Sequence, residues 1–227
     1  MKKIRAELIF SLLPTSFFLL CIWGIKGLEI LLQTSFYQLG VYPRRISGLI
    51  GIITAPLIHS NLEHISSNTI PVLVLGTALF FFYRKIAYEV VFISYAVTGV
   101  WVWIFAVPGH HAGASGLIYA LSFFLFFSGI FRKKREAMAV ALLVILLYGS
   151  IIWGMLPFDP KISWQTHLYG GIIGTLLAFF YAKESTMILN RKKESSFTNI
   201  DSTLDLTDND GEEIMIQYHY KEKSEED

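Results

Sequence analysis

Residues 113–131 read GASGLIYALSFFLFFSGIF, and the basic run Arg132-Lys133-Lys134-Arg135 follows directly. The stretch from Ser115 to Phe131 carries no charged side chain. A helix that crosses a bilayer core about 30 Å thick needs roughly 20 mainly apolar residues. Only 16% of the 227 residues are charged, against about 25% in a soluble domain. This stretch is therefore predicted to be a membrane-spanning helix that ends at a basic cluster.

The same criterion finds five further apolar segments along the chain. We therefore predict an all-α membrane protein with six spans, at about residues 7–25, 64–83, 87–107, 115–131, 137–156 and 165–182. Lys2, Lys3 and Arg5 precede the first span as they would in a signal peptide. No small-x-small cleavage site follows, so we expect this helix to be retained.

The basic residues predict the orientation of the six spans. Apart from Lys221 and Lys223 near the C-terminus, thirteen lysines and arginines fall on the side of both termini, and four fall on the other side: Lys26, Arg44, Arg45 and Lys161. Basic residues favour the cytoplasmic side, so both termini are predicted to be cytoplasmic. We therefore predict that residues 1–183 form the membrane domain and that residues 184–227 form a charged, mostly acidic and disordered cytoplasmic tail.

Some features narrow the range of functions. Cys21 is the only cysteine, which excludes an intramolecular disulfide and a cysteine-rich metal site. No nucleotide-binding glycine loop is present, and neither a cofactor nor a nucleic-acid partner is expected. Residues 26–63 alternate apolar runs with glycine, proline and arginine, so they are predicted to be a loop in the outer membrane interface.

Polar side chains at the outer ends of spans point to function, because they are costly inside a membrane. His64 and Asn68 enter span two four residues apart, and hence share one helical face. His59 precedes them, and we expect it to satisfy backbone groups of the long loop. The segment lacks the His-Glu-x-x-His arrangement of zinc proteases, so no metal site is expected.

Ser115 opens span four between Gly113 and Gly116, and Tyr119 follows one turn later. Small residues on either side of Ser115 let the backbone of another segment come close to it. A helix N-terminus also offers free N–H groups and the positive end of the helix dipole. Such a position can present a hydroxyl and stabilise an oxyanion. Packing of small residues between membrane helices would also explain the motif when it is considered alone.

His167 in span six is followed by Gly170, Gly171 and Gly174, all on one helical face. The glycines make a flat surface that permits close helix approach. If the neighbouring helix is span four, the imidazole comes within hydrogen-bond reach of Ser115, which activation of a serine requires.

Together these motifs resemble those of the rhomboid family of intramembrane serine proteases, over roughly residues 40–182. The resemblance identifies Ser115 as the nucleophile of a Gly-x-Ser-Gly motif and His167 as its partner, in a His-x-x-Gly-x-x-x-Gly pattern completed by Gly170 and Gly174. It identifies His64 and Asn68 as the oxyanion-stabilising pair of a His-x4-His-x3-Asn motif that His59 begins. Tyr119 matches the aromatic residue beside the dyad histidine.

The resemblance implies a six-helix endopeptidase that cuts transmembrane segments near the outer face of the membrane. Its substrates would be single-span or polytopic membrane proteins, and it would be a multi-pass protein of the bacterial inner membrane. The family often has a Trp-Arg pair in the first loop, whereas here Arg44 and Arg45 stand without a tryptophan beside them. Asp159 is the nearest carboxylate to His167 in sequence and is read as a turn residue before Pro160.

Two other classes of function compete with a protease. A non-catalytic rhomboid-like protein would bind transmembrane helices with the same fold, but would not need both Ser115 and His167. A small transporter would need a carboxylate in the middle of a span, and none falls there. His110 and His111, in the short loop before Ser115, are expected to be solvated.

Overall fold

A computed structural model of the protein describes residues 2–158 and 163–183. These residues form an all-helical structure, as predicted. The residues 184–227 and Asp159 lie outside the described residues, so the predictions for the tail and for that turn are not addressed. The helices are α1 (Lys2–Leu31), α2 (Gly51–Thr54), α3 (Leu62–Phe82), α4 (Ala87–Phe105), α5 (Ser115–Arg132), α6 (Arg135–Tyr148) and α7 (Trp164–Phe180).

Five helical segments in the described part of the chain are long and apolar enough to cross a membrane. They are Ile4–Leu31, Leu62–Phe82, Ala87–Phe105, Ser115–Arg132 and Arg135–Met155. Each coincides with one of the predicted spans. The last predicted span corresponds to α7, which has 17 residues and is shorter than these five. The count of six crossings stays a prediction.

The first helix is longer than the sequence predicts. The expected span ends near residue 25, whereas α1 continues to Leu31 and includes Lys26. The prediction that Lys26 begins a loop is therefore wrong. Lys26 forms an ion pair with Glu29 one turn later, at 2.5 Å. A charge compensated in this way can remain inside an apolar helix, although a hydropathy scan ends the span there.

The segment between α1 and α3 folds into short helical turns. Three 3₁₀ helices, Tyr37–Leu39, Ile46–Ile50 and Ala55–Leu57, flank α2. A Cβ atom at Gly51 would collide with the backbone of Val41, which explains how the segment folds back on itself so tightly. Ile46 and Ile53 nevertheless remain largely exposed. The location of this segment in the outer membrane interface stays a prediction.

Helix α5 lies at the centre of the bundle and packs closely on α7. A Cβ atom at Gly170 would collide with the carbonyl oxygen of Gly116, and one at Gly174 would collide with that of Ala120. The two helix backbones therefore touch at two successive turns. Such close approach is open only to small residues, and it brings the N-terminal ends of α5 and α7 together.

We predict that Gly170→Ala destabilises the protein, because the added methyl group must push α7 away from α5. The cost of such overpacking is about 1–3 kcal/mol. It would be measured as a lower unfolding temperature in detergent. Gly24→Ala is the matched control, since a Cβ atom there meets no atom within 4 Å. An equal effect of both substitutions would show that the α5–α7 contact is not what constrains Gly170.

Candidate active site

Ser115 is the first residue of α5, and the loop before it turns sharply at Gly113. Gly113 has φ +123°, a conformation that glycine adopts far more readily than other residues. A Cβ atom at Gly113 would lie 2.7 Å from Cε1 and 2.9 Å from Nε2 of His64. Gly113 thus lets the loop pass directly against the His64 imidazole, beside the N-terminus of α5.

His167 lies in the first turn of α7, and its side chain faces Ser115. The distance from His167 Nε2 to Ser115 Oγ is 2.8 Å, a normal hydrogen bond. His167 is buried, with 8% of its surface exposed, whereas Ser115 is half-buried. The two side chains are 52 positions apart in sequence and meet because the glycine face of α7 lies on α5.

The other ring nitrogen of His167 determines which tautomer faces Ser115. His167 Nδ1 lies 2.8 Å from the carbonyl oxygen of Gly154. A carbonyl can only accept, so Nδ1 carries the proton and Nε2 of the neutral ring has a free lone pair. The Ser115 hydroxyl therefore donates to Nε2. This is the arrangement in which an imidazole can remove a serine proton.

Tyr119 and Gly154 hold the His167 ring from two sides. The rings of Tyr119 and His167 are stacked, with centroids 4.2 Å apart and an interplanar angle of 9°. The Tyr119 hydroxyl donates to the carbonyl of Ile151 at 2.6 Å. A Cβ atom at Gly154 would collide with that hydroxyl and lie 3.2 Å from His167 Nδ1. Glycine at 154 therefore lets the carbonyl approach the imidazole.

Helix α3 brings two further polar side chains to the same place. Asn61 caps the helix, because its side chain accepts the backbone N–H of His64 at 2.8 Å. The cap fixes the first turn and hence the direction of His64. The Nδ2 atom of Asn68 lies 3.8 Å from the position of a Cβ atom on Gly113. His64 and Asn68 therefore both face the loop that leads into Ser115.

His59 joins these elements from the loop before α3. Its Nε2 accepts the backbone N–H of Ala114 at 3.3 Å, so that nitrogen carries no proton. The side-chain amide of Asn68 then donates to the same Nε2, at 3.0 Å. His59 thus satisfies a backbone group, but the prediction that this group lies in the long loop is wrong. The backbone group belongs to the residue before Ser115 rather than to the long loop.

Burial lowers the pKa of His59 to about 3, and the neighbouring His64 imidazole adds to the lowering. His59 is 2% exposed. A neutral ring at ordinary pH agrees with the acceptor role of Nε2 toward Ala114.

His111 is buried rather than solvated, and the prediction for this residue is wrong. Its Nε2 donates to the carbonyl of Val107 at 3.0 Å, which leaves Nδ1 to accept from the Ser163 hydroxyl at 2.5 Å. Ser163 in turn lies 2.6 Å from the Thr166 hydroxyl. Burial lowers the pKa of His111. His111 therefore connects the loop before Ser115 to the start of α7.

The first loop docks on the end of α4 without the Trp-Arg pair. The Arg44 guanidinium donates to the carbonyls of Ile104 and Ala106, at 3.2 and 3.0 Å. The indole of Trp103 donates to the carbonyl of Arg45 at 2.9 Å. A tryptophan and an arginine thus hold this loop, but the tryptophan comes from α4.

The structure places the predicted site residues at one end of the bundle. Ser115 and His167 touch each other, Tyr119 touches His167, and Asn68 touches His59. Gly113 lies against His64, while Gly116, Gly170 and Gly174 form the α5–α7 contact. The sequence does not indicate the roles of Gly154 and His111. Gly154 acts through its backbone carbonyl and His111 through a contact of its loop, and no local motif encodes either. In the described part of the chain, no three possible metal ligands group together.

These features define a helical membrane protein with a hydrogen-bonded serine–histidine pair at one end of its packed helices. The Rhomboid domain family matches residues 47–184. This is more than half of the chain, and the protein belongs to the rhomboid family.

Similar proteins occur in mycobacteria. Uncharacterised proteins of Mycobacterium bovis and Mycobacterium tuberculosis are each 34% identical to this chain over 149 residues. That alignment covers 62% of this chain and 62% of either relative, so less than two thirds of each relative is matched. An uncharacterised protein of Mycobacterium leprae is 29% identical over 171 residues, covering 71% of this chain and 68% of the relative.

We predict that His59 makes the stability of the protein sensitive to acid. The folded state resists protonation of His59 down to about pH 3, whereas an unfolded chain binds that proton below its ordinary pKa of 6.5. His59 therefore causes no loss in the free energy of unfolding above about pH 6.5, and this free energy falls as the pH decreases below that value. At about pH 5 the loss amounts to roughly 2 kcal/mol, since one pKa unit corresponds to about 1.36 kcal/mol.

His59→Gln keeps a hydrogen-bond acceptor but cannot titrate. Its unfolding temperature should fall less than that of the wild type when the pH is lowered from neutral toward about pH 5. The same acid-induced fall in both proteins would refute the assignment of this sensitivity to His59.

Proposed function

We propose that this protein is an intramembrane serine endopeptidase in which Ser115 is the nucleophile and His167 is the general base. The observation that carries the proposal is the 2.8 Å hydrogen bond from Ser115 Oγ to His167 Nε2. The Gly154 carbonyl supports it, because it holds the proton of the neutral imidazole on Nδ1.

The proposed reaction is an acyl transfer followed by hydrolysis. His167 Nε2 takes the Ser115 proton as Oγ bonds to the carbonyl carbon of the scissile peptide. The C–N bond then breaks, and the imidazolium gives its proton to the departing amine. Water, deprotonated by the same imidazole, attacks the acyl-enzyme and releases the second product with Ser115 restored.

The oxyanion of the tetrahedral intermediate would be held by Asn68, His64 and the backbone N–H of Ser115. One of the two amide N–H groups of Asn68 donates to His59, and among the described residues the other has no hydrogen-bond partner and could take this role. The N-terminus of α5 contributes the positive end of the helix dipole. Because these donors come from rigid helices, little reorganisation is needed as charge develops.

The proposed topology has six crossings, with α7 as the last, in a membrane domain of residues 1–183. The 3₁₀ turn Tyr181–Lys183 extends α7 toward the length of a span. The excess of basic residues on the side of the termini supports cytoplasmic termini and an outward-facing site. Substrates would be single-span or polytopic proteins of the same, bacterial inner, membrane, cut near their outer ends, where water has access.

We predict that Ser115→Ala and His167→Ala each abolish cleavage of a single-span substrate that is co-expressed with the protein. Each substitution removes one member of the proton-transfer pair. The measurement is release of the soluble fragment, detected by immunoblot. Ser122→Ala is the matched control, since Ser122 lies in the same helix, is buried and has no hydrogen-bond partner among the described residues.

Labelling with a fluorophosphonate separates a protease from a non-catalytic helix-binding protein, even when no substrate is known. The purified wild type and Ser122→Ala should be labelled, and Ser115→Ala should not. A folded wild type that resists the reagent would contradict the proposal and favour a protein that only binds transmembrane helices.

We predict that Asn68→Ala lowers kcat about 100- to 1,000-fold, the loss typical of one oxyanion donor. The reason is that the lost amide interacts with the developing charge rather than with the bound substrate, so KM should change little. Thr69→Ala is the control, because Thr69 bonds to Trp23 and to its own helix instead. A change in KM with kcat preserved would assign Asn68 to substrate binding.

A further inference from the structure

A buried ion pair lies in α1, outside residues 47–184 that match the family. Lys26 is 8% exposed and Glu29 is 5% exposed, and their charged groups are 2.5 Å apart. Desolvation of two charges is costly, and well-packed apolar side chains at such positions are often as stable or more so. Stability alone therefore does not account for this pair, and its other contacts indicate what it does.

Each partner of the pair also holds a part of the backbone outside α1. The Lys26 ammonium donates to the carbonyl of His59 at 2.6 Å. Glu29 accepts the backbone N–H of Phe36 at 2.6 Å. Glu29 is thereby fixed by a backbone group, and it fixes Lys26 in turn. The pair attaches the outer part of α1 to the loop that leads into α3.

His59 has its other contacts on the side of the candidate active site. Its imidazole accepts from the amide of Asn68 and from the backbone N–H of Ala114. Three elements thus meet at one residue: α1 at the His59 carbonyl, α3 at its ring through Asn68, and the N-terminal end of α5 through Ala114. A shift of the His59 backbone must move or break the two contacts of its ring.

We propose that Lys26, held by Glu29, is a positioning residue that sets the place of the Asn68 amide and of the N-terminal end of α5 through His59. This inference rests on the proposed function, in which the Asn68 amide and the Ser115 N–H donate hydrogen bonds to the oxyanion. Lys26 does not touch the reacting atoms. It determines whether the Asn68 amide and the Ser115 N–H lie where the negative charge of the oxyanion develops. A misplacement of about 1 Å can lower the rate about 100-fold.

The test uses the double variant Lys26→Met/Glu29→Gln in the full-length protein. Lys26→Met alone would leave a buried carboxylate without its cation and would unfold the protein for reasons unrelated to the site. The double variant removes both charges together, and the Gln side chain can still accept from Phe36. Apart from the ion pair itself, the double variant lacks the donor to the His59 carbonyl.

Trp23→Phe is the matched control. It removes another contact between α1 and α3, the 3.1 Å hydrogen bond from the Trp23 indole to Thr69, and leaves His59 untouched. Both variants should unfold within a few degrees of the wild type. We expect the double variant to lose about 10- to 100-fold in kcat and in the rate of fluorophosphonate labelling at Ser115, with KM preserved. Trp23→Phe should match the wild type in all three.

A folded double variant with wild-type kcat and labelling would overturn the proposal. An equal loss in Trp23→Phe would also overturn it, by showing that any weakening of the α1–α3 contact has this effect. The distinction from the proposed function comes from hydrogen exchange at the Ala114 amide, which needs no activity. If the wild type neither cleaves nor labels, the proposed function fails, but exchange at Ala114 should still be faster in the double variant than in Trp23→Phe. Equal exchange in the two would refute the positioning role.

Discussion

The direct backbone contact between α5 and α7 is the constraint on which the rest of the site depends. Gly170 and Gly174 leave no side chain between the helices, so the carbonyls of Gly116 and Ala120 touch the opposite backbone. At this separation the side chains at the heads of the two helices meet, and Ser115 and His167 are hydrogen-bonded. In a membrane, where apolar burial does not distinguish a neighbouring helix from lipid, such close packing is a principal source of association. The same contact therefore stabilises the bundle and assembles the candidate site.

Much of this arrangement could be predicted from short-range patterns. The apolar run after Ser115 predicts α5 almost to the residue, because a span must be long and uncharged. The glycine spacing after His167 indicates which face of α7 packs closely, although it does not say which helix lies opposite. Lys26 misleads the same reasoning, since a hydropathy scan ends a span at a charge and cannot see the Glu29 pairing or the His59 carbonyl beyond it.

The remaining parts of the site depend on contacts between residues distant in sequence. The carbonyl of Gly154 has no signature of its own, because every residue has a carbonyl, and only the fold brings this one to His167. His111 reads as an ordinary loop histidine until Ser163, 52 positions away, is placed beside it. The first loop finds a tryptophan in α4 rather than beside Arg44, so a motif search within the loop cannot find it.

Three buried histidines each form a hydrogen bond between the ring and a backbone group, and this bond fixes the tautomer of the ring. His167 and His111 each donate a hydrogen bond from one ring N–H to a backbone carbonyl, and the ring of His59 accepts a hydrogen bond from a backbone N–H. A carboxylate beside an imidazole would also fix its tautomer, but it would bring a second charge into a poorly solvated site. Backbone groups do not titrate in the physiological range, so they fix each tautomer at no such cost. The fold itself therefore keeps the lone pair on His167 Nε2. This holds as long as the Gly154 carbonyl stays against Nδ1, a position that the contact with Tyr119 and the absence of a Cβ atom allow.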